Sequence, residues 1–301
     1  MPEAKVDVVT LGELLIDMFP AELGRRLADV SAFHPKPGGA PANVAVGLAR
    51  LGCRSAFIGK VGDDAFGHHL ANVLKEEDVE TRAMRFDAQA RTTMAFIASP
   101  DAHTNEYLFY RNPGADTRLR AEELDESLLN QCKVLHFGSL SLVEDPIRGA
   151  ALKAMEIVSG GSGLVSLDVN YRPSLWDSPE AAKEAVMAIV GRVDLLKVNE
   201  EELFLLTGEQ DPSAGGSALV ELGPTLCVIT SGNAGSYFAT AAGTGFVPAY
   251  QVETVDATGC GDAFVAGLLS QITAVDLRSA DPERIRRIVT YANATGALTA
   301  Q

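Results

Sequence analysis

Residues 195–206 read Leu-Leu-Lys-Val-Asn-Glu-Glu-Glu-Leu-Phe-Leu-Leu. The short apolar run Leu195–Val198 predicts a buried strand, and Glu200–Leu206 predicts a helix whose acidic side chains Glu200 and Glu201 face solvent. A strand followed at once by a helix is the unit from which parallel sheets are built. The fold class depends on whether this unit repeats along the chain.

The same alternation recurs in four other places. Each pairs an apolar run with a segment of helical spacing: Val6–Thr10 before Pro41–Leu51, Ala56–Val61 before Asp64–Glu77, Val134–Phe137 before Pro146–Val158, and Val165–Val169 before Glu180–Val190. Repeated βα units predict an α/β fold with a mainly parallel sheet.

The pattern changes after the predicted strand Leu226–Thr230. Short strands at Ser236–Thr240 and Phe246–Val252 predict an antiparallel edge. Two helices then close the chain. One is predicted over Gly261–Ile272, and the other begins near Asp281, with a proline in its first turn, where a missing N–H costs nothing.

Two segments interrupt the βα rhythm and predict a small β lid. Residues of about 18–37 and 92–112 are inserted between βα elements, and the second segment alternates apolar and polar side chains as strands do. Because both segments are insertions, we expect residues 1–301 to form a single α/β domain that carries this lid.

The net charge argues against one large class of function. The 301 residues include 25 Lys and Arg and 40 Asp and Glu, which gives a formal charge of −15. The densest basic run is only Arg284, Arg286 and Arg287. Binding through nucleic-acid phosphates needs clustered positive charge, so no nucleic-acid partner is expected.

The sequence also bears on location. No apolar stretch approaches the ~18 residues of a membrane span, so no membrane partner is expected. Acidic residues in the first twenty positions do not support a secretory signal, and a cytoplasmic location is expected. The four cysteines are widely separated and are interpreted as reduced thiols.

Two familiar nucleotide-binding motifs are missing from the sequence. Gly59-Lys60 does not complete G-x-x-x-x-G-K-[ST], because Arg54 stands where the first glycine is required, and no G-x-G-x-x-G opens a helix. These facts argue against a P-loop NTPase and against an NAD-binding Rossmann enzyme.

A glycine-rich run, Asp256-Ala-Thr-Gly-Cys-Gly-Asp262-Ala-Phe, stands at the start of the helix predicted near Gly261. Free amides and glycines at a helix N-terminus form an anion site. A carboxylate there would repel phosphate, so Asp262 is interpreted as a base that takes a proton from an attacking hydroxyl. The alternative is an acidic first-turn residue with no further role, which helix starts favour.

A second glycine pair occurs in Gly38-Gly39-Ala-Pro-Ala-Asn43, which also opens a predicted helix. The Asn43 side chain offers donors and acceptors to a polyol. The alternative is that Asn43 bonds only to its own backbone at the helix start.

Together the two glycine loops resemble the paired signatures of the PfkB, or ribokinase-like, family of carbohydrate kinases. Further matching motifs follow in the family's order: Gly12-Glu13 with Asp17, residues 59–67, Asn199-x-x-Glu202 and Thr230-x-Gly232. Within the family the chain is most similar to fructokinases, on the evidence of residues 110–116, residues 136–139 and Arg172 ahead of Leu175-Trp176. The resemblance spans residues 5–298 and implies a three-layer αβα sandwich with a small β lid.

The resemblance implies a role for each matching residue. Asp262 would be the base, and the phosphoryl group would meet the amides of Gly259, Cys260, Gly261 and Asp262 together with Arg172. The sugar would be held by Asp17, Gly38, Gly39, Asn43, Arg111 and Asp262. ATP would lie near Asn199, Glu202, Thr230, Gly232, Gly259, Gly261 and Asn293. Glu202 would organise Mg²⁺ through water.

The chain departs from the family pattern in three places. Cys260 and Ala257 replace the usual alanine and hydroxyl residue, but an anion hole built from amides needs neither side chain. A cysteine at a helix N-terminus is expected to have a lowered pKa; the alternative is a small buried group that fills the space of alanine. The sequence stops at Gln301 soon after its last predicted helix, so we expect an incomplete wall around the adenine.

The leading hypothesis is an ATP-dependent fructokinase that uses ATP and Mg²⁺ to make fructose 6-phosphate. A requirement for a monovalent cation such as K⁺ is left open. The alternatives are a 2-keto-3-deoxygluconate kinase or another sugar kinase of the family, and, in a different class, a catalytically silent sugar-binding or structural relative. Residues 112–116 favour fructose, and open edges of the lid favour a homodimer.

Overall fold

The computed structural model describes residues 6–22, 24–98, 100 and 106–301. Strands in these residues form two sheets. They are β1 (Val8–Leu11), β2 (Leu15–Pro20), β3 (Phe33–Gly38), β4 (Ser55–Gly62), β5 (Met84–Asp87), β6 (Met94–Ala98), β7 (Glu106–Tyr110), β8 (Val134–Gly138), β9 (Leu164–Asp168), β10 (Leu195–Asn199), β11 (Leu226–Thr230), β12 (Gly235–Thr240) and β13 (Gly243–Pro248).

Most α-helices follow a strand of the larger sheet. They are α1 (Ala40–Arg50), α2 (Ala65–Glu76), α3 (Glu126–Gln131), α4 (Ile147–Ser159), α5 (Pro179–Val190), α6 (Glu200–Thr207), α7 (Pro212–Glu221), α8 (Cys260–Ile272) and α9 (Pro282–Thr299).

The larger sheet has the strand order β13-β12-β11-β10-β9-β8-β1-β4-β5. Its strands run parallel from β11 to β5, and β12 and β13 add an antiparallel edge. The mainly parallel sheet and the antiparallel edge are therefore as predicted.

Helices cover both faces of the larger sheet, because successive strand residues point to opposite sides. In β1, Val9 packs into a core shared with α3 to α7, whereas Val8 packs into a core shared with α1, α8 and α9. The result is a three-layer αβα sandwich. Because the strands are parallel, their carboxyl ends all lie at the same end of the sheet, and this is where ligands of open α/β sheets bind.

The two inserted segments form the smaller sheet, with the order β3-β2-β6-β7. Strand β2 pairs antiparallel with β3 and parallel with β6, and β6 pairs antiparallel with β7. The segments predicted to form a lid therefore contribute to a separate four-stranded sheet, of which β2 begins at Leu15, and the role of this sheet as a lid stays a prediction. Residues 23, 99 and 101–105 of the predicted lid lie outside the described residues.

One strand boundary was predicted wrongly. The last antiparallel strand was expected at Phe246–Val252, but β13 covers Gly243–Pro248. A tight turn pairs Thr240 with Gly243 and fixes the register of the hairpin. The chain then leaves the sheet, and Tyr250 and Val252 line a cavity instead.

Helix α7 was not predicted, because Gly215-Gly216 disfavours a helix interior. Asp211 caps it by accepting a hydrogen bond from Ser213 N at 2.8 Å. Both glycines allow close packing: a Cβ on Gly215 would lie 2.9 Å from the Leu203 side chain, and a Cβ on Gly216 would lie 2.9 Å from Ile229 Cδ1, so each neighbour would have to shift. Among the helices that can be described, none is long and apolar enough to cross a bilayer.

Candidate active site

Helix α8 begins at Cys260, one residue before the predicted start at Gly261. Gly259 has φ +78°, a left-handed conformation that glycine adopts without strain, and Cys260 begins the helix. The first amides of a helix have no acceptor within it, so those of Gly261 and Asp262 can receive an anion. Residues 256–262 are called the anion loop below.

The anion loop separates two cavities. The larger cavity, of about 630 Å³, is lined by Asp17, Asn43, Gly259 and Asp262 among others. The smaller cavity, of about 220 Å³, is lined by Thr230, Gly232, Cys260, Gly261 and Asn293 among others. Three residues predicted to hold the sugar, Asp17, Asn43 and Asp262, thus lie at one side of the loop. Four residues predicted for the nucleotide, Thr230, Gly232, Gly261 and Asn293, lie at the other, whereas Asn199 and Glu202 line a separate cavity.

Asp262 is partly buried and accepts a hydrogen bond from Asn43 Nδ2 at 2.8 Å. This contact joins the starts of α1 and α8, so Asn43 does more than bond to its own backbone. Burial is the main cause that raises the pKa of Asp262 to about 6, and the negative charge of Asp168 raises it as well. The hydrogen bond from Asn43 and the positive charges of Lys197 and Arg172 lower it. A carboxylate with this pKa is ionised at neutral pH and suits a general base.

Asp17 is a second carboxylate in the larger cavity. Burial and the charge of Asp262 raise its pKa to about 6, and Arg172 acts in the opposite direction. Its carboxylate lies against the backbone of Gly38, where a Cβ would come within 2.0 Å of Oδ2. Gly39 has φ +104°, and a Cβ there would meet the Glu13 carbonyl at 2.4 Å. These glycines let the chain pass behind Asp17, although neither lines the cavity.

Arg172 precedes a short 3₁₀ helix after β9 and donates a hydrogen bond to Tyr171 O at 3.3 Å. Its positive charge acts on both Asp17 and Asp262. Within the described residues Arg172 has no ion pair within 4.0 Å.

Two charged residues near the anion loop were missed. Asp168 ends β9 and Lys197 lies beside it in β10, and both are buried. The sequence could have indicated both residues, because each is a charged residue near the carboxyl end of an otherwise apolar parallel strand. Ligands of open α/β sheets bind at that end.

Glu202 and Asn199 form a capping box at the start of α6. Glu202 Oε2 accepts from Asn199 N at 2.7 Å, and Oε1 accepts from Tyr171 N at 2.7 Å. The Glu202 side chain is 2% exposed, and burial raises its pKa. Its first task is therefore structural, since it fixes the loop after β9 to the start of α6.

These residues fit a metal ion only through water. Both Glu202 oxygens already accept backbone hydrogen bonds, and the described residues contain no group of three or more His, Cys, Asp or Glu placed to hold a metal. Mg²⁺ commonly keeps several waters and binds through one or two carboxylates and the phosphates of its substrate. The donor set matches that pattern and does not match an all-protein cage.

Arg111 is buried and does not line the larger cavity. Its Nε lies 2.7 Å from Asp116 Oδ2, and Nη2 donates to Leu140 O at 3.3 Å. The negative charges of Asp116, Glu13 and Glu144 raise its pKa, against the effect of burial. The predicted contact of Arg111 with the sugar stays a prediction.

On the other side, Asn293 is buried and organises the wall of the smaller cavity. Its Nδ2 donates to Val247 O at 3.1 Å and to Pro248 O at 3.2 Å, and its Oδ1 accepts from Ser236 Oγ at 2.7 Å. Asn293 therefore holds the β12–β13 hairpin in place beside Thr230.

The expected lowered pKa of Cys260 is wrong. Partial burial and the negative charges of Asp256 and Asp262 raise it instead. Burial, followed by the two neighbouring carboxylates, thus decides the direction of the Cys260 pKa. All four cysteines are free thiols, as predicted.

Sequence comparison identifies the relatives of this chain. A model of the pfkB family of carbohydrate kinases matches residues 5–301. Probable fructokinase-2 of Arabidopsis thaliana is 43% identical over 295 residues, which cover 97% of this chain and 89% of that protein.

Solved structures agree with the sequence comparison. A fructokinase from Vibrio cholerae O395 with fructose, ADP and a calcium ion bound has a TM-score of 0.87 and 33% identity, over 98% of this chain and 93% of that one. A fructokinase from Xylella fastidiosa with bound ATP has a TM-score of 0.89 and 31% identity, over 99% and 92% respectively.

Proposed function

The chain belongs to the pfkB family of carbohydrate kinases, and from this membership we propose that it transfers the γ-phosphoryl group of ATP to the primary hydroxyl of fructose. It is a phosphotransferase that acts on a sugar hydroxyl. Fructose is the acceptor we favour, because the relatives named above are fructokinases, one of them with fructose bound.

The observation that carries this proposal is the position of the anion loop between two cavities. Asp262 and Gly259 line the larger one, and Cys260 and Gly261 line the smaller one. A sugar in the larger cavity and ATP at the smaller cavity would present a hydroxyl and a γ-phosphate to the same helix N-terminus. Phosphoryl transfer needs this alignment and charge stabilisation more than covalent help.

The steps assign one task to each group. The Asp262 carboxylate takes the proton of the attacking hydroxyl as the new O–P bond forms, and the bond from the γ-phosphorus to the bridging oxygen breaks to release ADP. Amides of the anion loop and Arg172 stabilise the negative charge on the transferred group. Asp17 and Asn43 orient the sugar.

Mg²⁺ would accompany the nucleotide, held by its phosphates and, through water, by Glu202. When bound, it offsets the charge of the β- and γ-phosphates. The use of K⁺ stays a prediction.

An acceptor panel tests the proposed function. ADP release is coupled to a spectrophotometric signal with fructose, 2-keto-3-deoxygluconate, ribose and nucleosides, and the matched Asp262→Asn protein gives the background. We expect the highest kcat/KM with fructose. A preference for 2-keto-3-deoxygluconate would reject fructose and make Arg111 the partner of its carboxylate. Sugar binding without turnover would indicate the catalytically silent alternative.

The smaller sheet is proposed to act as a lid within a single-domain protein that forms a homodimer. Its edge strand β7 leaves Tyr107, Leu108 and Tyr110 exposed, as an edge available for pairing would. Sedimentation equilibrium tests the dimer: a monomer at micromolar concentration would reject it. The cytoplasmic location stays a prediction.

A further inference from the structure

A buried ion pair lies next to the anion loop and has no part in the mechanism above. Lys197 Nζ is 3.0 Å from Asp168 Oδ1 and 3.2 Å from Oδ2. The two residues are paired across β9 and β10, and both side chains are buried. Such a pair is weak evidence for stability, because desolvation offsets most of the attraction. Its position therefore needs another explanation.

The ammonium group lies below the start of α8. A Cβ built on Gly261 would be 3.9 Å from Lys197 Nζ. An ammonium has three donors, and within the described residues Asp168 is its only hydrogen-bond partner. At least one N–H is thus free to act toward the anion loop. Burial lowers the pKa of Lys197, but Asp168, Glu202 and Asp262 together raise it above the usual value, so the ammonium stays charged.

A second buried lysine shows what a structural pair looks like in this protein. Lys60 Nζ donates to Arg118 O at 3.1 Å and to Glu123 Oε2 at 2.7 Å, and it lies 3.8 Å from Asp87. Its donors serve two neighbours on other elements, and Asp87 lies at ion-pair distance. Like Lys197 and Asp168, it does not line either cavity. In the part of the chain that the structure describes, Lys197 is held by Asp168 alone, and its Nζ lies near Gly261 at the start of α8.

We propose that Lys197 and Asp168 form a positioning pair, which balances the charge around Asp262 so that this carboxylate can accept the proton during transfer. This inference rests on the proposed function. Neither residue needs to touch the sugar or ATP, since both would act through Asp262.

Charged and polar groups face Asp262 from four elements and one loop. They are Asp17 on β2, Asn43 on α1, Asp168 on β9, Arg172 in the loop after β9, and Lys197 on β10. Lys197 and Arg172 favour the ionised form of Asp262, whereas Asp168 and Asp17 oppose it. The two members of the pair therefore act on Asp262 in opposite directions.

Because Lys197 and Asp168 act on Asp262 in opposite directions, substituting each of them should shift the pH profile in opposite directions. A pair with only a structural role would cause no such shifts. The pH dependence of kcat/KM reports the free enzyme's essential base. Lys197→Met should move the acid limb to higher pH by about one unit, the lower end of the effect of a neighbouring opposite charge. Asp168→Asn keeps the shape and an acceptor for Lys197, and it should move the limb to lower pH. The double variant should return close to the wild-type profile.

Lys60→Met is the matched control. It removes a buried, paired lysine away from the anion loop, so it should lower thermal stability and leave the acid limb in place. If Lys197→Met does not fold, the near-isosteric Asp168→Asn still carries the test. Unchanged limbs in Lys197→Met and Asp168→Asn, or shifts of both in the same direction, would overturn the proposal.

A second readout separates this proposal from the proposed function. The ¹³C signal of the Asp262 carboxyl, assigned by its loss in Asp262→Asn, can be titrated without any substrate. Absence of turnover with fructose would reject the function, while opposite shifts of this titration in the two variants would still support the pair. Turnover with fructose together with an unmoved titration would reject the pair alone.

Discussion

Replacing Asp262 by asparagine should separate its catalytic task from its cost to stability. The side-chain amide introduced by Asp262→Asn can still accept the hydrogen bond of Asn43 but cannot take a proton. We expect kcat to fall by roughly 10²- to 10⁴-fold, the usual range for loss of a general base, with little change in KM for ATP. The anion loop keeps its amides in this variant, so nucleotide binding should persist.

The same substitution should stabilise the protein at neutral pH. Burial raises the pKa of Asp262 from 3.8 to about 6, so ionisation costs the folded state free energy. A shift of two units corresponds to at most about 3 kcal/mol, and solvent in the open cavity reduces it to about 1–2 kcal/mol. For a chain of 301 residues the gain is about 1.5–3 °C in Tm. Loss of the Asp262 charge should also relieve Asp17.

The gain should depend on pH in a defined direction. Above the folded pKa of about 6, Asp262 is ionised in both states and the wild-type protein bears the whole penalty. As the pH falls toward 3.8, the folded state binds the proton first and the penalty disappears. The difference in Tm between the Asp262→Asn variant and wild type should therefore be largest near pH 7.5 and close to zero near pH 4.

Calorimetry at several pH values and a coupled assay for ADP measure both effects. Asp211→Asn is the control, since Asp211 is an exposed carboxylate that lines neither cavity and accepts from Ser213 N at 2.8 Å, a bond that asparagine can also accept. It should change neither kcat nor Tm appreciably. A near-native kcat in Asp262→Asn, or a Tm difference independent of pH, would show that Asp262 is not the strained base described here.

Three further variants probe other groups of the site. Arg111→Ala should raise KM for fructose more than KM for ATP. Because it removes one partner of the buried pair with Asp116, it should also lower the free energy of unfolding, measured in urea, by ~3–5 kcal/mol. An unchanged KM for fructose would show that Arg111 has only a structural role. Arg172→Ala should lower kcat and leave Tm unchanged, whereas the reverse pattern would remove Arg172 from the mechanism. Alkylation of Cys260, mapped by mass spectrometry, should be slow at pH 7.5 and slower still with ATP and magnesium, with Cys53 unaffected as the control.

The βα rhythm was predictable because each parallel strand is buried on both faces and reads as an apolar run. Both glycine loops were also readable, since Gly39 and Gly259 have positive φ and stand directly before their helices. Helix α7 was not readable. Its Gly215-Gly216 opposes a helix locally, and the close packing of Leu203 and Ile229 that favours glycine there is visible only in the fold.

Burial and pairing of charged residues were the least predictable features. Nothing in the sequence indicates that Arg111 bonds to Asp116 beneath the surface, or that Lys197 meets Asp168 from the next strand. Such contacts depend on the three-dimensional approach of segments that the linear pattern leaves independent. The direction of the Cys260 pKa was predicted wrongly for the same reason, because the partial burial of the thiol and the nearby charges of Asp256 and Asp262 are set by the fold.

The buried carboxylates of the candidate site help to decide between an enzyme and a catalytically silent relative, because burying a charge destabilises the folded protein. Asp17, Glu202 and Asp262 all have raised pKa values, chiefly because they are buried. Neutral side chains of similar shape would remove the penalty and leave the surrounding packing intact. A protein that only bound a sugar would gain stability from that exchange, whereas a kinase needs an ionised base beside the hydroxyl. The presence of these destabilising buried carboxylates therefore favours an enzyme over a silent relative. Asp262→Asn should accordingly gain stability and lose catalytic activity.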